Sequence, residues 1–211
     1  MSSLILAIDT TREVGSLALV RAGQTVDEIV LRAPTGFAHV LYGHIAELLR
    51  RNSVDLAAID IFAAASGPGS FTGVRVGLAC VKGLAEALGK PAAAVSNLRA
   101  LASFGKAPLR AAVLDARRGE VYGAVYDAAG EIVAPETVAP LPAWLAALPE
   151  GDLEFVTQGY SLELAGARIV TAPEAVAAAI GRLAGAGADP AALDANYVRR
   201  SDAELFWKDT G

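Results

Sequence analysis

A glycine-rich stretch, SGPGSFTGVRVG at residues 66–77, has the composition of a ligand-binding loop. It follows an apolar run and opens a helical pattern, where backbone amides commonly bind phosphate. A Walker A loop is excluded because Val74 stands where that motif requires lysine. The glycine spacing is one residue too long for the dinucleotide-binding fingerprint, and Pro68 replaces the first glycine of a nucleophile elbow.

Anion binding remains an open interpretation of this loop, because hydroxyl groups can supplement the free amides at the start of a helix. The first apolar strand ends in Asp9, and a second strand ends in Asp115. Two aspartates at facing strand ends would hold a metal–nucleotide between two lobes. The residues predicted for nucleotide or phosphate binding are therefore Asp9, Thr10, Thr11, Gly69, Ser70, Thr72 and Asp115.

Close packing is a second interpretation of the same glycines. Small residues recur at steps of three or four along the predicted helix 72–88, at Gly73, Gly77, Cys80 and Gly83. A glycine inside a helix costs up to about 1 kcal/mol relative to alanine, so another backbone must approach closely to compensate. That backbone belongs either to the protein's own sheet or to a partner's helix, and the pattern leaves both open.

The preceding predicted helix, 35–51, carries an apolar stripe. Together the two helices predict one association surface, although part of the apolar stripe must also serve the core. The predicted interface residues are Val40, Leu41, His44, Ile45, Leu48, Gly73, Val76, Gly77, Cys80 and Gly83.

The sequence also contains a weak internal repeat, in which each half begins with a strand, an Asp, a polar turn and a second strand. Asp9 matches Asp115 at an offset of 106, and Ala18 matches Ala124 at the same offset. One explanation is a chance likeness of two β-meanders. The other is an α/β fold of two duplicated lobes, at residues 1–105 and 106–211, with an extended tail on the second. Actin, the sugar kinases and the Hsp70-like ATPases have this design.

Composition sets further expectations. The formal net charge of -5 argues against direct, extensive binding of nucleic acid by this chain alone. No apolar run approaches the roughly 20 residues of a membrane helix, and the first residues lack the basic region of a signal peptide. A single cysteine fits a reducing cytoplasm. His39 and His44 are five residues apart, on different sides of a helix, so we expect no metal site there.

Three segments together resemble the TsaB family, also called YeaZ: LAIDTT near the start, SGPGSFTGVRVG, and DARRGEVY in the middle. The likeness is dense over residues 4–127, and NYVRR at 196–200 is similar to a further family motif. The resemblance implies a duplicated actin/Hsp70-like fold (ASKHA, ribonuclease H-like). It also implies an accessory role in making threonylcarbamoyladenosine on tRNA, next to the anticodon of tRNAs that read A-starting codons.

The family resemblance implies partners as well. TsaB proteins are related to TsaD, the catalytic subunit, and bind it through the two helices described above; they form homodimers when TsaD is absent. TsaE is a further, ATP-using partner. ATP and tRNA would therefore be met through the complex, and no cofactor of the chain's own is expected.

TsaD-like chains carry H-x-E-G-H after the corresponding helix, and its histidines bind a metal. Here Asn97 and Leu101 fall at the histidine positions and Arg99 at the acid. The resemblance therefore implies a non-catalytic subunit without a metal site or catalytic residues of its own. Three rival functions remain: an ATP-dependent phosphotransferase or ATPase using Asp9 and Asp115, a metalloprotease, and a chaperone-like binding module without a tRNA role.

Overall fold

The computed structural model describes residues 2–198, whose strands form two five-stranded mixed sheets. The first sheet consists of β1 (Leu4–Asp9), β2 (Val14–Arg21), β3 (Gln24–Arg32), β4 (Ile61–Gly67) and β5 (Ala92–Ser96). Its strand order is β3-β2-β1-β4-β5, with β2 antiparallel and β4 parallel to the central β1.

The second sheet repeats the topology of the first. It consists of β6 (Leu109–Arg117), β7 (Glu120–Asp127), β8 (Ile132–Pro140), β9 (Leu153–Thr157) and β10 (Arg168–Thr171). Read from β8, its order is β8-β7-β6-β9-β10, with β7 antiparallel and β9 parallel to β6. The predicted α/β fold with duplicated lobes is therefore confirmed.

Helices cover both faces of the sheets. They are α1 (Leu41–Arg51), α2 (Phe71–Leu88), α3 (Asn97–Ala102), α4 (Leu141–Ala146) and α5 (Ala177–Leu183), with 3-10 turns at Phe37–His39, Leu56–Ala58 and Pro190–Ala192. The first helix is shorter than the predicted 35–51, because Gly36 has a φ of 94° and a 3-10 turn follows it. No helix within residues 2–198 has both the length and the apolar character needed to cross a membrane.

The core is divided among the faces of the two sheets. The outer face of the first sheet packs on α1 and α2, and the outer face of the second packs on α4. Between the sheets, α5 packs on the first sheet although it follows the second in sequence, and α3 packs mainly on the second although it follows the first. Each half thus contributes one helix that packs on the sheet of the other half.

The predicted domain boundary between residues 105 and 106 stays a prediction. Residues 199–211 of the expected tail lie outside the described range.

The register of the repeat differs from the predicted one by one residue. Ala7 pairs with Ala18, and Ala112 pairs with Ala124, on the equivalent inner faces of the two sheets. The offset of 106 residues therefore relates β2 to β7, whereas β1 and β6 are related by an offset one residue shorter. Because side chains alternate along a strand, this shift places Leu114, not Asp115, at the position equivalent to Asp9.

Candidate functional site

The carboxyl end of β1 and the glycine loop form one buried hydrogen-bond network. Asp9 Oδ1 accepts from the amide of Thr11 at 2.9 Å and from its hydroxyl at 2.6 Å. Asn97 Nδ2 donates to Thr11 Oγ1 at 2.7 Å, and Asn97 Oδ1 accepts from the amide of Gly67 at 2.9 Å. Thr10, which is also buried, donates its hydroxyl to the carbonyl of Gly73 at 2.7 Å. The strand end and the loop are thus bound to each other.

The loop glycines permit this contact. A Cβ on Gly73 would lie 2.0 Å from the carbonyl oxygen of Thr10, and one on Gly69 would lie 2.6 Å from that of Thr11. A Cβ on Gly77 would lie 2.8 Å from Thr10 Oγ1. The close approach inferred from the sequence is therefore an approach to the chain's own first strand, and these glycines are required by internal packing.

Two hydroxyl residues of the loop have different surroundings. Ser70 caps α2, because its Oγ accepts from the amide of Gly73 at 3.3 Å while its own amide donates to Thr11 O at 2.7 Å. Thr72 is exposed in the first turn of the helix. The part of the loop open to solvent is therefore the segment Gly69–Thr72, ahead of the buried network.

Two buried polar atoms near this network have no hydrogen-bond partner among the described residues. They are Asp9 Oδ2 and Arg12 Nε. Burial lowers the pKa of Arg12, while the charges of Asp9 and Glu174 act in the opposite direction. The Nη2 of Arg12 donates to the carbonyl of Glu174 at 3.3 Å, linking the β1–β2 turn to the second half of the chain.

Asp115 does not join Asp9 in this network. It is exposed near the end of β6, where its Oδ1 accepts from the amide of Arg117 at 2.7 Å. Asp115 follows Val113 by two residues in β6, so it lies on the face of the second sheet that packs toward α4. Asp9 lies on the inner face of the first sheet, the face that carries Ala7. The two aspartates therefore do not occupy equivalent positions, and nucleotide or phosphate binding by Asp9 and Asp115 stays a prediction. Within residues 2–198 no group of three or more His, Cys, Asp and Glu side chains could hold a metal.

The predicted association surface stays a prediction, but part of it serves the chain's own core. Six of its ten residues are buried within the chain's own core, because the apolar faces of α1 and α2 pack on the first sheet. The six buried residues are Leu41, Ile45, Leu48, Gly73, Gly77 and Cys80. Val40, His44 and Val76 are half-buried, and Gly83 is exposed. These four residues remain available to a partner.

The outer surface of the two helices also includes a residue that the sequence did not indicate. Tyr42 is 58% exposed, and it lies close enough to Cys80 of α2 to interact with it electrostatically. A Cβ on Gly83 would meet no atom within 4 Å. Outside their packed inner faces, α1 therefore exposes a tyrosine and α2 exposes an open small-residue position.

The final described segment contributes contacts that sequence reasoning missed. The amide of Asn196 donates to Ser66 O at 2.8 Å, and its side chain donates to Glu136 Oε2 at 2.5 Å. Glu136 also accepts from the hydroxyls of Ser96 and Tyr126. The N-Y-V motif thus ties the glycine loop to β8 of the second sheet. Its similarity to a family motif was the only available signal.

The chain is similar to a known protein family. A family profile described as TsaD, tRNA N6-adenosine threonylcarbamoyltransferase, matches residues 33–179. A tRNA threonylcarbamoyladenosine biosynthesis protein TsaB of Bacillus subtilis is 35% identical over 167 residues, which are 76% of this chain and 72% of the relative. The TsaB of Haemophilus influenzae is 37% identical over 124 residues, 56% of this chain and about half (51%) of its own length.

Solved structures agree with this result. A crystal structure of an uncharacterized protein with similarity to peptidase YeaZ, from Pseudomonas aeruginosa, has a TM-score of 0.79 at 29% identity and covers 93% of this chain and 100% of its own. A structure titled YeaZ from Pseudomonas aeruginosa has a TM-score of 0.75 at 30% identity, covering 92% of this chain and 99% of its own.

Fold and site together define an α/β protein of two duplicated lobes whose glycine loop packs on the residues directly after its own first strand. Within that class, the chain belongs to the TsaB (YeaZ) family, whose curated members are named for tRNA threonylcarbamoyladenosine biosynthesis. A role in that biosynthesis follows from this membership.

Proposed function

We propose that the chain is a non-catalytic subunit that binds and supports a TsaD-type transferase. The complex would form threonylcarbamoyladenosine next to the anticodon of tRNAs that read A-starting codons. The observation that carries the proposal is the naming of its relatives, together with a glycine loop whose polar groups bind the chain's own strand end. In this proposal TsaE is a further partner, ATP and tRNA are engaged through the complex, and the protein works in the cytoplasm.

The surface proposed for the partner is the outer side of α1 and α2, with Tyr42 and Gly83 at its centre. An exposed glycine on α2 allows a partner helix to approach closely, and an exposed tyrosine on α1 gives it an aromatic side chain to contact. The same surface would form a homodimer when the chain is alone. Because the TsaD profile matches residues 33–179 of this chain, which include α1 and α2, we expect TsaD to have equivalent helices for such a contact.

Sedimentation of the purified chain, alone and with TsaD from the same organism, tests this function. We expect a homodimer alone and a heterodimer after mixing, with the homodimer lost as TsaD is added. A chain that stays unbound at micromolar concentrations of both proteins would contradict the proposal.

One observation favours the alternative of an ATP-dependent phosphotransferase or ATPase. The buried Oδ2 of Asp9 lacks a partner among the described residues and would accept a hydrogen bond from a ligand. Calorimetry with Mg-ATP separates the two functions, with Asp9→Asn as the matched variant. Our proposal predicts at most weak binding by the isolated chain. Micromolar binding that disappears in Asp9→Asn would favour the alternative.

A further inference from the structure

An exposed stack of two aromatic rings and a guanidinium lies at the start of α2. Phe71 and Tyr197 have ring centroids 5.2 Å apart, and each side chain is 44% exposed. The guanidinium carbon of Arg75 lies 3.7 Å from the centroid of Phe71, and Arg75 Nε donates to the hydroxyl of Tyr197 at 2.9 Å. The three residues, here called the aromatic–arginine patch, join α2 to the final described segment.

The charge of this patch is positive although the whole chain is acidic. Within residues 2–198, Arg75 has no carboxylate partner for an ion pair, and its one side-chain hydrogen bond is to Tyr197.

Exposed aromatic rings beside unpaired arginine are the groups that bind single-stranded RNA. Stacking of an unpaired base on an aromatic side chain contributes binding free energy, and a guanidinium can bind the neighbouring phosphate. The stack holds Phe71 and Arg75 in place before any ligand arrives, which lowers the entropic cost of binding. We propose that the aromatic–arginine patch is a direct RNA contact of this chain, which stacks an unpaired base and binds its phosphate.

This inference goes beyond the proposed function, in which tRNA is reached only through the complex. It also refines the expectation drawn from the net charge of -5, because the charge of a local patch and not of the whole chain governs a contact of one or two nucleotides. The chain without its partners is therefore the correct material for the test.

Fluorescence anisotropy at low ionic strength tests the patch with a labelled single-stranded RNA of about 12 nucleotides, within the usual site sizes for such contacts. The same strand in a duplex is the comparison. Wild-type protein should bind the single strand more tightly than the duplex. Phe71→Leu should weaken that binding roughly tenfold, since one stacked base contributes about 1–3 kcal/mol. Arg75→Gln should also weaken it and reduce the salt dependence by about one phosphate contact.

Arg21→Gln is the matched control, because Arg21 is an exposed arginine on β2 and the substitution changes the net charge equally. It should leave RNA affinity near the wild-type value. Thermal melting identifies any variant that fails to fold, and Tyr197→Leu then replaces Phe71→Leu as the test of stacking. The proposal is overturned if the wild-type chain binds no RNA, or if patch variants bind it as wild type does. Unchanged RNA binding with weakened TsaD binding would identify the patch as a protein contact instead.

Discussion

The hydroxyl of Thr10 donates a hydrogen bond to the carbonyl oxygen of Gly73, 2.7 Å away, and thereby joins the end of β1 to the first turn of α2. The two backbones are so close that no side chain fits between them. A Cβ on Gly73 would lie 2.0 Å from the carbonyl oxygen of Thr10. The glycine is required by this contact, with or without a partner protein.

Gly73→Ala should therefore destabilise the isolated chain. Overpacking commonly costs about 1–3 kcal/mol, and each kcal/mol lowers Tm by roughly 2–4 °C in a protein of this size. Gly83→Ala is the matched control, because its Cβ would meet nothing within 4 Å and alanine favours the helix by up to about 1 kcal/mol. Differential scanning calorimetry should give a lower Tm for the first variant and a slightly higher one for the second. Equal effects would contradict the assignment of Gly73 to internal packing.

Gly83→Leu tests the outer surface of α1 and α2. The leucine would project into open space in the free chain, so Tm should stay near the wild-type value. In the complex it would lie between the helices and cost about 1–3 kcal/mol, which weakens association roughly fivefold to more than a hundredfold. Sedimentation with TsaD measures the change. Ala129→Leu, at an exposed turn of the second sheet, is the control and should leave association unchanged.

Glu28 gives the stability of the chain a specific dependence on pH. Burial raises the pKa of Glu28, partly offset by its hydrogen bond from the amide of Ala178 at the start of α5. Folding therefore favours the protonated form of Glu28. This protonation contributes to the free energy of unfolding in full below the pKa of Glu28 in the unfolded chain, and the contribution is lost as the pH rises through its pKa in the folded chain. Glu28→Gln stays neutral, so its Tm should exceed that of wild type at pH 7, with the difference shrinking toward pH 4.

Glu150→Gln controls for the change in net charge, because Glu150 is exposed. Its Tm difference from wild type should not follow the same trend with pH. A Glu28→Gln variant whose advantage grows as the pH falls would show that the sign of the argument is wrong.

Cys80 should react slowly in the folded chain. It is buried, and burial raises the pKa of its thiol to about 11. Because the thiolate is the reactive form, a shift from 9.0 to about 11 lowers its fraction at pH 8 roughly a hundredfold, before access is considered. Labelling with a thiol reagent at pH 8, with and without denaturant, measures this. Fast labelling of the native protein would mean that Cys80 lies at an open surface.

The sequence predicted the elements around the loop because their signals are local. The apolar run before the glycine loop and the helical spacing after it indicate β4 and α2, and α2 begins one residue before the predicted start. Local sequence signals could not decide whether Gly73 packs inside the chain or against a partner. It depends on where Thr10 lies in three dimensions, which helical spacing does not specify.

The position of Asp115 in its strand was not predicted, for a related reason. The β6–β7 connection contains an irregularity between Asp115 and Arg117, which the first half does not share at that place. A shift of one residue moves a side chain to the opposite face of a sheet while leaving the sequence match almost unchanged. Likewise, the packing of α5 on the first sheet is a long-range contact that periodicity within α5 cannot indicate.

The central claim is that this chain enables a TsaD-type enzyme to modify tRNA without carrying out the transfer itself. The most direct measurement is mass spectrometry of the nucleosides of a tRNA incubated with TsaD, TsaE, ATP and the threonylcarbamoyl donor, with and without this chain. We predict abundant threonylcarbamoyladenosine only when the chain is present, and none with the chain alone. Equal modification in its absence, or modification by the chain without TsaD, would contradict the claim.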